Sequence, residues 1–458
     1  MNTNIQTTAE NILVPVVQQE YITDSSLSQF PKLVISISIV SGPCGSGKTH
    51  ALLNLIKEQE YSSNHLLAFP TWLLCEQSHL ELANSEFDMV DIINSKGQKL
   101  AVKSRMTTYF NDCLDHGHAL VVTWPGYEDL PYFRNKPDWK IYIDEIPQVS
   151  AFYPVDVSKN PQLLTDFIEL GHSINSLIAK VSIKEGCKHK LKSASESTDD
   201  GYKEFKALFR ALLSDNKDVF VLIEDWNVVI NKAKTKNKTG EITFISMLNP
   251  SQFNGSTILA ANIEQSLLYK WFERFHNVNF THHKQISSNL RYTHHGDEIA
   301  SRTEIYYCID EGRGYSKYFR DTGADDGLTY GNQMDNIAVE FFNNEDFLYV
   351  VNKDYSNPVL DSSKLAHQLP VGSHGQNDYQ DFNAIYFNLA LNFPPKQLQL
   401  LKALGFTAEE ARIAVTYETF YQCIMRTSLR NPDSNDTVKI IVPDKKTAAY
   451  MCLLLGGA

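Results

Sequence analysis

The eight residues Gly42–Thr49 constrain the fold of this chain more than any other feature. They read Gly-Pro-Cys-Gly-Ser-Gly-Lys-Thr and complete the pattern GxxxxGK[ST]. The apolar run 33–40, LVISISIV, precedes them, and the helix-like stretch HALLNLIKEQ follows. We therefore predict a buried strand, a glycine-rich loop and a helix in succession, which is a unit of a parallel α/β sheet.

The residue types in this loop indicate phosphate binding. Glycines let successive backbone N–H groups turn toward phosphate oxygens, and the N-terminus of the following helix adds partial positive charge. We predict that Lys48 reaches the β- and γ-phosphates of ATP and that the Thr49 hydroxyl binds Mg²⁺. The predicted nucleotide-binding residues are Gly42, Pro43, Gly45, Ser46, Gly47, Lys48 and Thr49.

An acidic pair, Asp144 and Glu145, ends a second apolar strand candidate, 140–143. We predict that Asp144 holds the Mg²⁺ and that Glu145 orients and deprotonates an attacking water molecule. Such a pair alone usually marks no more than a strand end. Combined with a complete phosphate loop earlier in the same α/β block, it predicts a site for nucleotide hydrolysis.

Strand candidates alternate with helical patterns along most of the chain, which predicts parallel sheets covered by helices. The further strand candidates are 65–69, 89–93, 119–123, 256–261, 304–309, 347–352, 383–387 and 438–442. We expect an N-terminal tail over 1–31 and two α/β blocks, 32–283 and 284–458. The first block would carry an insertion at about 150–250, with a helix over 161–181 and a strand pair over 219–231 and 240–248.

The composition excludes some classes of protein. A formal net charge of −12 argues against a protein that coats nucleic acid by bulk electrostatics, but not against one whose contacts are confined to a cleft. The chain has no run of 18 apolar residues, and its start lacks the basic and apolar regions of a secretory signal. We therefore predict a cytoplasmic protein with no membrane span.

With these motifs, the sequence from about residue 33 onward resembles the superfamily 2 helicases. The stretch 66–77 looks like the family's Pro-Thr-x-x-Leu-x-x-Gln segment, and the Asp-Glu pair matches the family's DE motif. The resemblance implies two RecA-like lobes that bind ATP and Mg²⁺. It also implies that Thr71 and Thr123, at the ends of two strands, contact the nucleic-acid backbone.

The second block carries further similarities. The segment 347–354 resembles the strand that opens the nucleic-acid surface of the family's second lobe. His374 begins a stretch, 374–377, that fits either a loop contacting ATP and nucleic acid or a surface turn. The stretch 422–430 resembles the family's Gln-x-x-Gly-Arg-x-x-Arg motif. That likeness implies Gln422 as a catalytic residue and Arg426 as the arginine finger, with Arg430 as the second candidate. Arg430 follows Arg426 by four residues where the family has three, and on a helix both spacings fall on one face.

Two departures from the family pattern stand out. Met425 replaces the glycine of the arginine motif, and Ala260, Ala261 and Asn262 stand where the family has Ser-Ala-Thr, which links ATP state to lobe movement.

Two lysine clusters, 184–192 and 232–238, fit either solvated loops or an extension of the nucleic-acid track, and they would also suit a wedge that separates strands.

The function expected from these patterns is that of a monomeric, ATP-dependent helicase or translocase acting on nucleic acid, DNA in preference to RNA. Two alternatives stay open at this point. One is a P-loop ATPase that does not unwind, such as a packaging-type or remodelling motor. The other is a nucleic-acid-binding protein whose ATPase is vestigial.

Overall fold

The computed structural model describes residues 34–59, 63–85, 89–93, 101–113, 117–128, 130, 135–157, 162–230, 240–292, 297–310, 314–323, 327–372 and 378–456. The predicted tail 1–31 lies outside these ranges. The chain divides into two compact units. The P-loop unit contains Ser36–Thr293 and Leu391–Glu418, and the C-terminal unit contains His294–Ala390 and Thr419–Ala458.

Seventeen strands lie within the described ranges and form three sheets. In chain order they are β1 (Ser36–Ser41), β2 (Asn64–Phe69), β3 (Val90–Ile93), β4 (Ala119–Thr123), β5 (Trp139–Asp144), β6 (Ser150–Asp156), β7 (Ile168–Ser173), β8 (Ile178–Ile183), β9 (Lys217–Leu222), β10 (Glu241–Leu248), β11 (Thr257–Ala260), β12 (Asn279–His282), β13 (Thr303–Ile309), β14 (Phe347–Val351), β15 (Ala366–Gln368), β16 (Ala384–Asn388) and β17 (Val438–Asp444).

The α-helices cover these sheets and connect their strands. In chain order they are α1 (Lys48–Glu58), α2 (Trp72–Ala83), α3 (Val102–Asp112), α4 (Trp124–Glu128), α5 (Gln162–Thr165), α6 (Lys188–Glu196), α7 (Lys206–Leu213), α8 (Ile223–Ile230), α9 (Leu267–His276), α10 (Lys284–Ser287), α11 (Asp297–Ser301), α12 (Lys317–Asp321), α13 (Tyr330–Phe341), α14 (Pro358–Ser362), α15 (Pro395–Ala403), α16 (Ala408–Arg412), α17 (Glu418–Ile424) and α18 (Lys445–Gly456). A π-helical turn, Ile413–Tyr417, precedes α17. Among the described residues, no helix has the length and apolar character that a membrane crossing requires.

The central sheet of the P-loop unit has seven parallel strands in the order β12-β1-β11-β5-β2-β4-β3. Its inner strands are mostly apolar because helices cover both faces of a parallel sheet, and every residue of β2 is buried. One buried cluster contains Leu67 and Phe69 of β2, Val121 of β4 and Leu53 of α1. Each such side chain contributes about 2 kcal/mol of hydrophobic stabilisation.

The insertion folds as an antiparallel sheet in the order β6-β10-β9-β8-β7. The helix predicted over 161–181 was wrong, because most of that segment is the β7–β8 hairpin. The Asn175 side chain accepts hydrogen bonds from the backbone N–H groups of Leu177 and Ile178, which closes the turn between the two strands. Local turn chemistry therefore overrides the helical spacing of the apolar residues.

The strand predicted over 219–231 was also too long. It ends at Leu222 as β9, and α8 begins at the next residue. Glu224 and Asp225 lie in the first turn of α8, where their charges favour a helix N-terminus. The predicted pairing of this strand with β10 is present, and it is antiparallel.

The C-terminal unit contains a parallel sheet in the order β13-β17-β16-β14-β15. The prediction of two RecA-like parallel-sheet lobes with an α/β insertion in the first is therefore confirmed at the level of fold class.

Polar residues at the strand ends are buried in the C-terminal unit. Asn388, for example, is fully buried and donates to Asp335 (Nδ2–Oδ1 2.7 Å), which also accepts from Tyr386 (2.9 Å) and Tyr355 (2.8 Å).

One segment predicted within the second lobe, Leu391–Glu418, belongs instead to the P-loop unit. We call this segment the strap. Ion pairs tie it to that unit: Glu410 meets Arg274 (Oε1–Nη2 2.5 Å), and Lys396 meets Asp225 (Nζ–Oδ2 2.6 Å). Partners so distant in sequence leave no local signal, so the sequence patterns do not record this association.

Gly331 in α13 tests the packing of the C-terminal unit. A Cβ atom there would lie 2.7 Å from Cγ of Arg320, which is 2% exposed, and 2.8 Å from the Tyr355 hydroxyl. We expect Gly331→Ala to lower the free energy of unfolding by about 1–3 kcal/mol, because overpacking outweighs the gain in helix propensity. Urea denaturation measures the change.

The matched control is Gly456→Ala in α18, where an added Cβ would meet only the Cβ of Ala300, at 3.9 Å. This change should leave stability unchanged or raise it by up to about 1 kcal/mol. Equal effects of the two substitutions would contradict the packing argument.

Candidate functional site

The phosphate loop and the acidic pair lie at the carboxyl edge of the same sheet. Val40 of β1 is paired with Leu259 of β11, and Leu259 is paired with Asp144 of β5. These three residues form one row across two strand spacings, about 10 Å. The backbone N–H of Glu145 continues the pairing by donating to the Leu259 carbonyl (2.8 Å). The register of three strands therefore brings together residues that are far apart in sequence.

The loop itself adopts a conformation that its glycines permit. Gly45 and Gly47 have φ angles of 82° and 81°, in the left-handed region that L side chains rarely occupy. The Lys48 ammonium donates to the carbonyls of Gly42 (2.7 Å) and Pro43 (2.8 Å). A bound polyphosphate would offer charged acceptors to the same ammonium, and charge-assisted hydrogen bonds are stronger than these neutral ones.

A pair of hydrogen bonds joins the loop to the acidic pair. The Thr49 hydroxyl lies 3.1 Å from each carboxylate oxygen of Asp144. Burial and the charge of Glu145 outweigh the opposing effects of Lys48 and the Thr49 hydrogen bond, so that the pKa of Asp144 is raised to about 7. The ionised Asp144 therefore lacks compensating positive charge, which a divalent cation would supply.

The donor set fits the nucleotide and metal that the sequence analysis predicts. A hydroxyl and a carboxylate in contact, Thr49 and Asp144, are oxygen ligands of the kind that Mg²⁺ takes in proteins. The Ser46 hydroxyl is buried and finds no hydrogen-bond partner among the described residues. A polar group left in this state inside a phosphate loop is suited to a ligand oxygen.

Glu145 has an unusual backbone conformation. Its φ angle is 71°, one of three positive values for non-glycine residues in the described ranges. A left-handed conformation costs an L residue roughly 1–2 kcal/mol, and such strain concentrates at functional sites. The turn at Glu145 redirects the chain directly after β5 and sets the direction of its carboxylate.

This strain predicts a difference between two substitutions. We expect Glu145→Asn to unfold with a free energy about 1 kcal/mol higher than Glu145→Gln, since asparagine tolerates positive φ better. Both variants lose the carboxylate, so the difference isolates the backbone. Equal unfolding free energies in chemical denaturation would show that residue 145 is not strained.

The two predicted strand-end threonines share this edge of the sheet. Thr123, the last residue of β4, is paired with Phe69, and Thr71 follows Phe69 by two residues. Thr71 also has a structural role that the sequence analysis missed. It caps α2 by accepting a hydrogen bond from the backbone N–H of Leu74 (3.3 Å). Its hydroxyl proton is still able to point toward a ligand.

The predicted residues of the second lobe have a different setting from the one expected. The helix α17 ends at Ile424, before Arg426, and Arg430 lies in a separate 3₁₀ turn, Ser428–Arg430. The argument that both arginines share one helix face was therefore wrong, and their roles as fingers stay predictions. Gln422 is on α17 and half-buried, as are both arginines. His374 lies outside the described residues.

The segment 260–262, which lacks the hydroxyls of the Ser-Ala-Thr pattern, makes a polar contact of another kind. Ala260 and Ala261 are buried, and Asn262 adopts a left-handed conformation with φ of 49°. Its side-chain nitrogen donates to Glu418 of the strap (Nδ2–Oε2 3.1 Å). Glu418 is the first residue of α17, so Asn262 is linked to the helix that leads to Gln422.

Arg291 lies against the phosphate loop and was not predicted. Its backbone N–H donates to the Ser46 carbonyl (2.9 Å), and its aliphatic side chain lies 3.5–3.6 Å from the position that a Gly47 Cβ would occupy. Its guanidinium contacts Nε2 of His50 in the first turn of α1. An exposed cation here adds to the positive potential of the helix N-terminus.

We expect Arg291→Ala to weaken nucleotide binding by roughly threefold to tenfold, because Arg291 is exposed and one typical hydrogen bond contributes about 0.5–1.5 kcal/mol. Arg291→Lys keeps the charge and should lose less. Titration with a fluorescent ATP analogue measures the dissociation constants. Lys284→Ala, which removes an exposed cation of α10 nearby in sequence, is the control. An Arg291→Ala affinity equal to that of the control would exclude a role for Arg291 in binding.

No known protein-family model matches the chain, and no curated protein sequence matches it. Among solved structures, it is similar to the DUF1998 helicase MrfA bound to DNA, at 9% identity and a TM-score of 0.35, over 91% of this chain and 45% of that one. A DEAD box protein from Methanococcus jannaschii matches at 12% identity and a TM-score of 0.29, over 92% and 85% of the two chains.

The NS3-like helicase from Alongshan virus matches at 9% identity and a TM-score of 0.30, over 89% of this chain and 72% of that one. The chain thus spans less than half of the length of MrfA. Because all three TM-scores are below 0.5, these likenesses are no evidence of a shared activity. The resemblance to superfamily 2 helicases rests on the chain's own phosphate loop, acidic pair and two parallel sheets.

Proposed function

We propose that this protein is an ATP-dependent helicase or translocase that couples ATP hydrolysis to movement on nucleic acid. One observation carries the proposal: the Thr49 hydroxyl lies 3.1 Å from both carboxylate oxygens of Asp144, at the carboxyl edge of a parallel sheet. A phosphate loop in contact with a buried carboxylate is the arrangement that phosphoryl transfer from a nucleotide requires.

Four residues of the P-loop unit have distinct roles in this proposal. Lys48 binds the β- and γ-phosphates as a positive charge, and Thr49 and Asp144 hold Mg²⁺. The metal, when bound, neutralises charge on the phosphate oxygens. Glu145 orients the attacking water and accepts its proton, a role that the fixed turn after β5 supports by setting the direction of the side chain.

The C-terminal unit would complete the reaction. Gln422, Arg426 and Arg430 are the residues that we assign to it, with the arginines stabilising charge that develops on the γ-phosphate. Closure of the two lobes on ATP and their opening after hydrolysis would drive movement along a strand. Asn262, through its hydrogen bond to Glu418, takes the place of the family's Ser-Ala-Thr segment in linking ATP state to α17.

The nucleic-acid track in this proposal follows the carboxyl edge, where Thr71 and Thr123 contact phosphates. His374 is assigned to the same track from the sequence alone. Contacts of this kind bind the backbone and do not read bases, so binding should have low sequence specificity. We propose DNA in preference to RNA as the track and a monomer as the working form.

The direct test is steady-state ATP hydrolysis with and without single-stranded DNA, duplex DNA and RNA. We expect nucleic acid to stimulate the wild-type rate and Lys48→Ala to lower it by about a hundredfold or more, since a charge contact to the transferred phosphate is lost. Lys57→Ala, which removes another lysine of α1 that pairs with Glu81 (3.2 Å), is the matched control and should keep its activity.

Two outcomes would overturn the proposal. Hydrolysis that no nucleic acid stimulates would favour a P-loop ATPase that does not track strands. The buried Ala260 and Ala261, in place of the family's hydroxyls, keep that second candidate in view. Absence of any hydrolysis above the Lys48→Ala background would favour a nucleic-acid-binding protein with a vestigial ATPase.

A further inference from the structure

A cleft of about 930 Å³ lies within the P-loop unit, between α3 and α4 of the core and α6 and α7 of the insertion. Basic side chains dominate its charged lining. They are Lys103, Lys136, Lys188, Lys192 and Arg210. The phosphate loop does not line this cleft, so it is a separate site from the one described above.

The cleft has more positive than negative charge. Three acidic residues also line it, Glu128, Glu196 and Asp215. Glu128 is already paired with Lys217 (Oε1–Nζ 2.6 Å), which is not in the lining. A surplus of cations is unexpected in a chain whose formal net charge is −12. Like charges held around one concavity repel one another unless an anion lies between them.

The floor of the cleft is polar. The Lys136 ammonium donates to the Gln252 carbonyl (2.6 Å), and burial lowers the pKa of Lys136. The side-chain nitrogen of Gln252 is buried and has no hydrogen-bond partner in the described part of the chain. Polar groups of Lys136 and Gln252 therefore form part of the cleft wall.

The rim of the cleft favours an extended anion over a compact one. Lys188 and Lys192 are one turn apart on α6, so their side chains start about 6 Å from each other on one helix face. Arg210 on α7 and Lys103 on α3 add charge from two further helices. Cations distributed in this way suit a chain of regularly spaced phosphates.

The short helix α4 connects the proposed track to the cleft, because it begins directly after Thr123 and its residues Tyr127 and Glu128 line the cleft. A Cβ atom on Gly126 of α4 would lie 3.4 Å from Cγ1 of Val102 and 3.6 Å from Oγ1 of Thr123. Lys103 is the next residue after Val102, and α4 begins directly after Thr123. Gly126 of α4 is thus close both to Thr123, which we assign to the nucleic-acid backbone, and to Val102, the residue before the lining cation Lys103.

We propose that this cleft binds the sugar–phosphate backbone of a nucleic-acid strand and extends the track from the carboxyl edge onto the insertion. This assignment rests on the proposed function, because it takes nucleic acid as the partner. It gives the first lysine cluster, 184–192, a binding role through two of its members, Lys188 and Lys192. Recognition would depend on charge and would not depend on base sequence.

The test compares two double variants with the same loss of charge. Lys188→Gln/Lys192→Gln removes two lining cations, and Lys190→Gln/Lys203→Gln removes two exposed lysines of the insertion that do not line the cleft. Fluorescence anisotropy with a labelled oligodeoxythymidine, without nucleotide, gives the dissociation constant over a series of salt concentrations. Thermal unfolding verifies that all variants are folded.

We expect the cleft variant to bind more weakly and to have a slope of log K against log[salt] whose magnitude is smaller by about 1.4, since each phosphate contact on a single strand contributes about 0.7. The control should keep the wild-type slope. Equal slopes for the two variants, with the wild type binding the oligonucleotide, would overturn the cleft assignment and leave the proposed function intact.

Failure of the proposed function would look different. A wild-type protein that neither binds the oligonucleotide nor hydrolyses ATP faster in its presence would overturn both proposals. If the cleft variant lost binding to inorganic polyphosphate while it bound the oligonucleotide like the control, the cleft would serve another polyanion, and the nucleic-acid assignment would be wrong.

Discussion

The contact between Thr49 and Asp144 depends on the register in which β1, β11 and β5 are paired. The row from Val40 through Leu259 to Asp144 sets the position of the acidic pair, and β1 sets the position of the phosphate loop. A slip of one residue in either pairing would turn every side chain of a strand to the opposite face of the sheet. The geometry of the site is therefore a consequence of strand pairing, so the residues that fix the register of the sheet also fix the positions of the site residues.

The sequence predicted the parallel sheets well and the insertion poorly, for a physical reason. Most residues of strands such as β2 and β5 are buried, so each strand contains a short apolar run between helical patterns. The hairpin of β7 and β8 is covered on one face only, and its apolar spacing also fits a helix. Its identity is decided by the Asn175 turn and by pairing with β9, neither of which a periodic pattern records.

The residues of the candidate site also divide into those that the sequence patterns identify and those that they do not. The loop and the acidic pair were predictable because each motif is contiguous and its residue types follow from phosphate and metal chemistry. Arg291 and Glu418 were not, because they meet His50 and Asn262 across 241 and 156 residues of sequence. The helix assigned to the arginines ended too early for the geometric argument, since α17 stops at Ile424.

The strap has a consequence for the order of synthesis. The P-loop unit precedes most of the C-terminal unit in sequence, yet it includes Leu391–Glu418. A ribosome must therefore add the 125 residues 294–418 before the first unit possesses all its parts, which takes on the order of ten seconds. Until then Arg274 and Asp225 lack their partners in the strap. Nascent chains of this protein are thus expected to expose an incomplete P-loop unit, and to require chaperone protection, for longer than proteins whose N-terminal domain is continuous.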